Sequence, residues 1–99
     1  MPAAARITDA ISTGHGCDAI SSIEGSLASK VFTEGKLNSV KDDPIAPHTI
    51  LVGSICVGHS AVVNAGSGKV FIEGIAAARK DDSADAGQIT GSATKTYFG

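Results

Sequence analysis

The chain reads as an all-β domain of short strands and loops arranged as pseudo-threefold repeats, and three observations lead there. First, residues 30–43 return 39 positions later as residues 69–82 with 8 of 14 positions identical, where average composition gives roughly one chance match. Second, 12 glycines punctuate the 99 residues, and no window carries an apolar 3.6-residue period over a helical length. Third, the repeat has fainter echoes. Ala5-Arg6-Ile7-Thr8-Asp9 matches Ala78-Arg79-Lys80-Asp81-Asp82 at three of five positions, and residues 91–99 echo 66–74. A repeat of this period specifies architecture before any single residue is interpreted. The chain begins and ends inside a unit, so the C-terminal strand is expected to complete the N-terminal half-unit and close the ring within one domain, 1–99.

Strands are expected at 30–34, 50–52, 60–64, 69–73 and 95–98, with hairpin-like returns at Glu34-Gly35 and Glu73-Gly74. The alanine-rich stretch 75–79 is too short to change the class. Within 69–73 the period of two places Val70 and Ile72 on one face and Lys69, Phe71 and Glu73 on the other. Phe71 and its repeat mate Phe32 therefore have two available roles. They cap the core, the commoner fate of a large apolar side chain, or they form a contact surface.

Aromatic residues make up 4% of the chain and there is no Trp. A core of small residues is thin in apolar area, so a metal, a disulfide or a partner is expected to supplement it. A net charge of −2 gives no basic footprint for nucleic acid. No apolar run approaches the roughly 18 residues that span a bilayer, and residues 1–11 lack the pattern of a signal peptide. A chain made in the cytoplasm without a leader favours reduced thiols over a Cys17–Cys56 disulfide, and its three histidines point to metal.

All histidines and cysteines fall between positions 15 and 59, as His15 and Cys17, then His48, Cys56 and His59. Aligned on Asp9 and Asp43, His15 lies six residues after its aspartate and His48 five after its own. Two equivalent loops thus each present an imidazole, and a shared axis would bring them together. His15, His48, His59 and Cys56 form the expected ligand set, with Cys17 as competitor for the fourth place. Zinc accepts such a nitrogen and sulfur tetrahedron, and four protein ligands would make the site structural. Nothing else carries chemistry, so no enzyme is expected. There is no Gly-x-Ser-x-Gly elbow, and Gly66-Ser67-Gly68-Lys69 lacks phosphate-loop spacing and leads into a strand. Asp42, Asp43, Asp81, Asp82 and Asp85 read as solvated turn-formers.

Pro2-Ala3-Ala4-Ala5-Arg6, the loop Thr13-Gly14-His15-Gly16-Cys17, the Gly-Ser…Val-Phe-x-x-Gly strands and Ala77-Ala78-Arg79-Lys80-Asp81 together resemble the PAAR-repeat family over nearly the whole chain. The first motif is one Ala longer than the name motif, and the second lacks its Pro. The resemblance implies a small cone-shaped PAAR-like fold that caps a trimeric β-helical spike, VgrG-like or from a phage tail, one chain per trimer. It also implies zinc near the apex, held through histidines at positions that match His15, His48 and His59. Family members often carry a cysteine ligand in the third loop, here 82–87, and this chain has none there. The implied function is to sharpen the tip of a type VI secretion apparatus or contractile phage tail and pass through the target envelope, with transient membrane contact. The alternative is a zinc-stabilised adaptor that attaches an effector or toxin to the spike.

Overall fold

One turn occurs three times. In Arg6-Ile7-Thr8-Asp9, Val40-Lys41-Asp42-Asp43 and Arg79-Lys80-Asp81-Asp82 the last carboxylate accepts the backbone N–H of the first residue, at 2.8 Å in every copy. The third residues, Thr8, Asp42 and Asp81, take φ of 70°, 74° and 74°, a left-handed conformation that short polar residues tolerate best. In the first and last copies a guanidinium completes the turn: Arg6 Nη2 lies 2.9 Å from Asp9 Oδ1 and Arg79 Nη2 lies 2.8 Å from Asp82 Oδ1. The middle copy has Val40 instead. There the Leu27 N–H takes the place on Asp43 Oδ1 at 2.7 Å, and the Ser39 hydroxyl donates to Oδ2 at 2.8 Å.

The computed structural model, which describes residues 2–98, closes these turns into a ring. Ala5 N–H donates to the Ala78 carbonyl at 3.1 Å, Ala78 N–H to Ser39 at 2.9 Å, and Ser39 N–H back to Ala5 at 2.9 Å. All three residues are completely buried. Only small side chains fit where three backbones meet, which accounts for the alanine content of these motifs.

The strands are β1 (Ala10–Ser12), β2 (Ile20–Ser22), β3 (Phe32–Thr33), β4 (Lys36–Leu37), β5 (His48–Val52), β6 (Ile55–His59), β7 (Phe71–Ile72), β8 (Ile75–Ala76), β9 (Ser83–Ala84) and β10 (Gly87–Ile89). No helix occurs among the described residues, and the fold is all-β. An antiparallel sheet of order β2-β1-β10-β9 joins the first strand to the last, with Ile11 opposite Ile89. β3–β4, β5–β6 and β7–β8 are separate hairpins. Ala3 also bridges Tyr97, so the two end segments meet as the repeat implied. Met1 and Gly99, the outer bounds of the expected domain, lie outside the described residues.

Both expected returns are present. Glu34 and Gly35 take φ of 51° and 84°, and Glu73 and Gly74 take 52° and 81°, two positive values as a type I′ turn demands. Other expectations need correction. Residues 60–64 form no strand, because Val62 and Val63 pair only through isolated bridges to Pro44 and Ala84. The strand expected at 50–52 is the end of the longer β5, whose partner β6 follows a Gly53-Ser54 turn hidden within an apolar run. Residues 95–98 contribute a single bridge rather than a strand.

Ile11, Ile23, Ile45, Val63, Ala84 and Ile89 form the main core with Ala5 and Ala78, and Ala28, Val40, Ile72 and Ala77 form a second cluster. The alternation expected in 69–73 holds for Ile72, which is buried, and Val70, which packs against the second cluster. Phe71 and Phe32 do not cap the core. They are 59% and 64% exposed, and Tyr97, which pairs with Ala3 as Phe71 pairs with Ala76 and Phe32 with Leu37, is 53% exposed. A two-residue strand has one inward side chain, and Ile72 and Thr33 already fill that place.

Candidate metal centre

Three loops follow the three turns, and each delivers a polar side chain to one point. The first loop joins β1 to β2 and carries His15. Buried Thr13 shapes it, donating from Oγ1 to the Asp18 carbonyl at 2.6 Å. Gly14 lies so close to the third loop that a Cβ there would stand 2.3 Å from the Ala86 carbonyl oxygen. Together with the Ala86 N–H donated to Thr13 at 3.0 Å, this contact stitches the His15 loop to the loop of Asp85.

The second loop is the β5–β6 hairpin, where His48 and His59 are directly opposite in the register. Directly opposed side chains share a face of the ribbon, so the pair arrives together. The third loop is the β9–β10 turn, with Asp85 at φ 54°. Its backbone is held by Asp85 N–H on the Val62 carbonyl at 3.2 Å and by Asn64 Nδ2 on the Asp85 carbonyl at 2.8 Å.

The resulting cluster is tight. His15 Nε2 lies 2.8 Å and His48 Nε2 2.7 Å from Asp85 Oδ2, and His59 Nε2 lies 3.1 Å from Oδ1. The ring centroids are 5.0–5.2 Å apart. His15, His48 and Asp85 are nearly buried, while His59 retains 27% side-chain exposure.

The opposite ring nitrogens fix where the protons sit. His48 Nδ1 is 2.8 Å from the Ala46 carbonyl and His15 Nδ1 is 3.1 Å from the Gly16 carbonyl. A carbonyl only accepts, so each Nδ1 must carry the proton. In a neutral imidazole that leaves a bare lone pair on Nε2, and here it faces a carboxylate oxygen. Lone pair against carboxylate is repulsive unless a proton or a metal ion stands between them. Nδ1–H held by a backbone carbonyl is also how metal-ligating histidines are oriented. The group His15, His48, His59 and Asp85, whose ligand atoms all lie within 4.8 Å of one another, can therefore hold a metal ion.

A proton competes with a metal ion for the same place. Burial works against charge on Asp85, but bonds from His59, His15 and His48 outweigh it and lower its pKa below the ordinary value. Burial likewise opposes protonation of His15, yet the Gly16 carbonyl and the Asp85 carboxylate raise its pKa.

All three expected histidines come together, and Cys56 does not join them. Its sulfur is bonded to Cys17 in a disulfide, which also removes Cys17 as competitor and overturns the expectation of free thiols. The reason is the strand. Cys56 precedes His59 by an odd number of residues on β6, and odd separations point to opposite faces. Asp85 takes the fourth place, so its reading as a solvated turn-former is also corrected. It does occupy a turn, but its side chain is 7% exposed. Spacing gave no signal for it: Asp85 lies three residues after Asp82, whereas His15 and His48 lie six and five residues after Asp9 and Asp43. Gly66-Ser67-Gly68-Lys69 forms a turn in which Ser67 Oγ accepts the Lys69 and Val70 N–H groups at 3.0 and 2.9 Å.

The chain matches no family model, and no curated protein is significantly similar to it.

Proposed function

We propose that the chain is a PAAR-like tip protein: a structural, zinc-locked cap on the trimeric spike of a contractile injection machine, a type VI secretion apparatus or a phage tail. The observation that carries this reading is the convergence of three loops from a closed threefold frame onto one His3Asp group. Three nitrogens and one carboxylate oxygen suit tetrahedral zinc and leave no position for water, so the ion would serve structure and not catalysis. Its binding free energy would add to a fold whose core is thin.

Partner choice follows from the frame. Phe32, Phe71 and Tyr97 are exposed, one in each of the three units. Glu34 accepts the Thr94 and Lys95 N–H groups and Glu73 the Lys30 N–H, which ties those segments to one another. A threefold set of aromatics matches a trimer, and it would cover the strand ends that such a spike exposes.

Light scattering on a mixture of the chain with a trimeric β-helical spike from the same genome, alongside elemental analysis, tests the proposal. One chain per trimer and one zinc per chain are expected, and Phe32→Asp with Phe71→Asp should abolish the complex while retaining the zinc. Absence of any complex with the unaltered chain would remove the spike-tip reading.

A further inference from the structure

The β5–β6 hairpin continues past the histidine pair, and its far end is apolar on both faces. Along one face the register runs His48 with His59, Ile50 with Val57, then Val52 with Ile55, and the other carries Leu51 opposite Cys56. Exposure rises toward the turn, to 50% at Leu51, 54% at Val52 and 62% at Ile55. A ribbon that stands in water alternates apolar with polar residues, one face to the core and one to solvent. This one does neither at its tip. Asp, Glu, Lys and Arg are absent from all of 44–68.

The hairpin is braced as well as exposed. Gly53 takes φ 63° at the first turn position, as a type II′ turn requires. The Cys17–Cys56 disulfide ties β6 to the His15 loop. On the same side Gly16 lies against Leu51, with room for a Cβ only 3.3 Å from the Leu51 Cβ. Two carboxylates reach the ribbon and both are engaged at its root, Asp85 by the histidines and Asp18 by Thr49 N–H and Oγ1 at 2.8 and 2.9 Å.

We propose that the 51–55 end of this hairpin is a lipid-inserting wedge, and that its partner is the acyl-chain border of a bilayer. Three aliphatic side chains around a two-residue turn offer far less than the roughly 800 Å² per partner of a stable protein interface. A protein would also have to enclose both faces and the turn, whereas a liquid hydrocarbon phase surrounds them without shape matching. The lack of charge suits a neutral phase and gives no handle for an acidic or basic protein. Strands of five residues extend about 17 Å, short of the roughly 30 Å hydrocarbon core, so the wedge enters one leaflet and does not span. Beyond the Cys17–Ile50 bridge its outer backbone edges have no strand partner among the described residues, which also limits it to the interface. This inference stands on the hairpin's own chemistry and holds whether or not the chain caps a spike.

Flotation of the unaltered chain with phosphatidylcholine vesicles, followed by a Ser54→Trp variant, tests it. The chain has no Trp of its own, so a single indole reports on the turn alone. Expected are co-flotation, a blue shift of the indole and its quenching by acyl-chain-brominated lipid, all insensitive to salt. Leu51→Asp with Ile55→Asp should lower partition at least about tenfold, while Phe71→Asp leaves it unchanged. If the double variant misfolds by circular dichroism, Ile55→Ser alone should give a smaller drop in a folded chain. No binding, or binding that needs anionic lipid and vanishes in salt, overturns the proposal. Self-association that the Asp variants abolish would overturn it equally, by assigning the tip to a second copy of the chain.

Discussion

His48 spans from the Ala46 carbonyl, 2.8 Å from its Nδ1, to Asp85 Oδ2, 2.7 Å from its Nε2. One contact fixes which nitrogen carries the proton, and the other aims the remaining lone pair at an anion. His15 repeats the relationship with the Gly16 carbonyl and the same carboxylate oxygen. Two imidazoles set in this way around one carboxylate are poised for a cation, and the first prediction follows from removing the anion.

Asp85→Asn keeps the shape of the turn and deletes the charge. Metal affinity, followed by competition with a chromophoric chelator, should fall at least about tenfold, since even the outer partners of metal ligands are worth that much. Cys56→Ser should leave it essentially unchanged, because the Cys56 sulfur is on the other face of β6 and bonded to Cys17. Equal losses in the two variants would restore Cys56 as a ligand and refute the His3Asp assignment.

Glu34 makes stability depend on acid. Hydrogen bonds from the Lys95 and Thr94 N–H groups, with further ones from the Thr96 and Thr94 hydroxyls, pull its pKa down from 4.5 to about 2. A carboxylate whose pKa is depressed by folding stabilises the protein above its unfolded pKa, and that stability is lost as the folded group is protonated. Thermal melts of the unaltered chain and Glu34→Gln should therefore differ near neutral pH, converge below 4.5 and coincide by about 2. A difference that stays constant through this window would show that the bonds do not depend on the charge.

The parts of the fold that could be read in the sequence are those that recur. The 39-residue repeat implied closure, and the Ala5, Ser39 and Ala78 hydrogen-bond ring is that closure. Glu34-Gly35 and Glu73-Gly74 were legible as turns because Gly tolerates the positive φ that the second place needs. The β5–β6 hairpin was missed although Gly53-Ser54 is a two-residue turn signal, because the apolar residues on both sides of it show no period-two contrast to mark them as strands. Asp85 was obscured by its residue type. Aspartate is an ordinary turn-former, and only the meeting of loops distant in the sequence distinguishes it from Asp42 or Asp81. The cysteines were misassigned for want of one fact, that β6 is a strand through Cys56 and His59.

The ring of small residues sets a steric limit. Ala78 is completely buried, with its N–H and carbonyl bonded to Ser39 and Ala5. Ala78→Leu adds three carbons where three backbones converge, and overpacking of this kind costs about 1–3 kcal/mol. Urea denaturation should place it at the upper end of that range. Ala19→Leu, on the exposed stretch before β2, should stay within about 0.5 kcal/mol. Similar values for the two would mean that the ring relaxes freely and does not define the fold.

The disulfide and the metal cross-link nearly the same stretch of chain. Cys17 and Cys56 are 39 residues apart, for which the chain-entropy model gives about 4 kcal/mol. A metal ion held by His15, His48, His59 and Asp85 acts on the other side of the equilibrium. It leaves the chain on unfolding, so it stabilises the folded state through its affinity for the assembled site and does not restrict the unfolded ensemble. With the Cys56 sulfur bonded to Cys17 rather than turned to the histidines, the two contributions should add. Cys17→Ser with Cys56→Ser should therefore lower the melting temperature by similar amounts in chelator-treated and metal-loaded protein. Four melts complete this cycle, and a drop that depends strongly on whether metal is bound would show that the disulfide shapes the metal site.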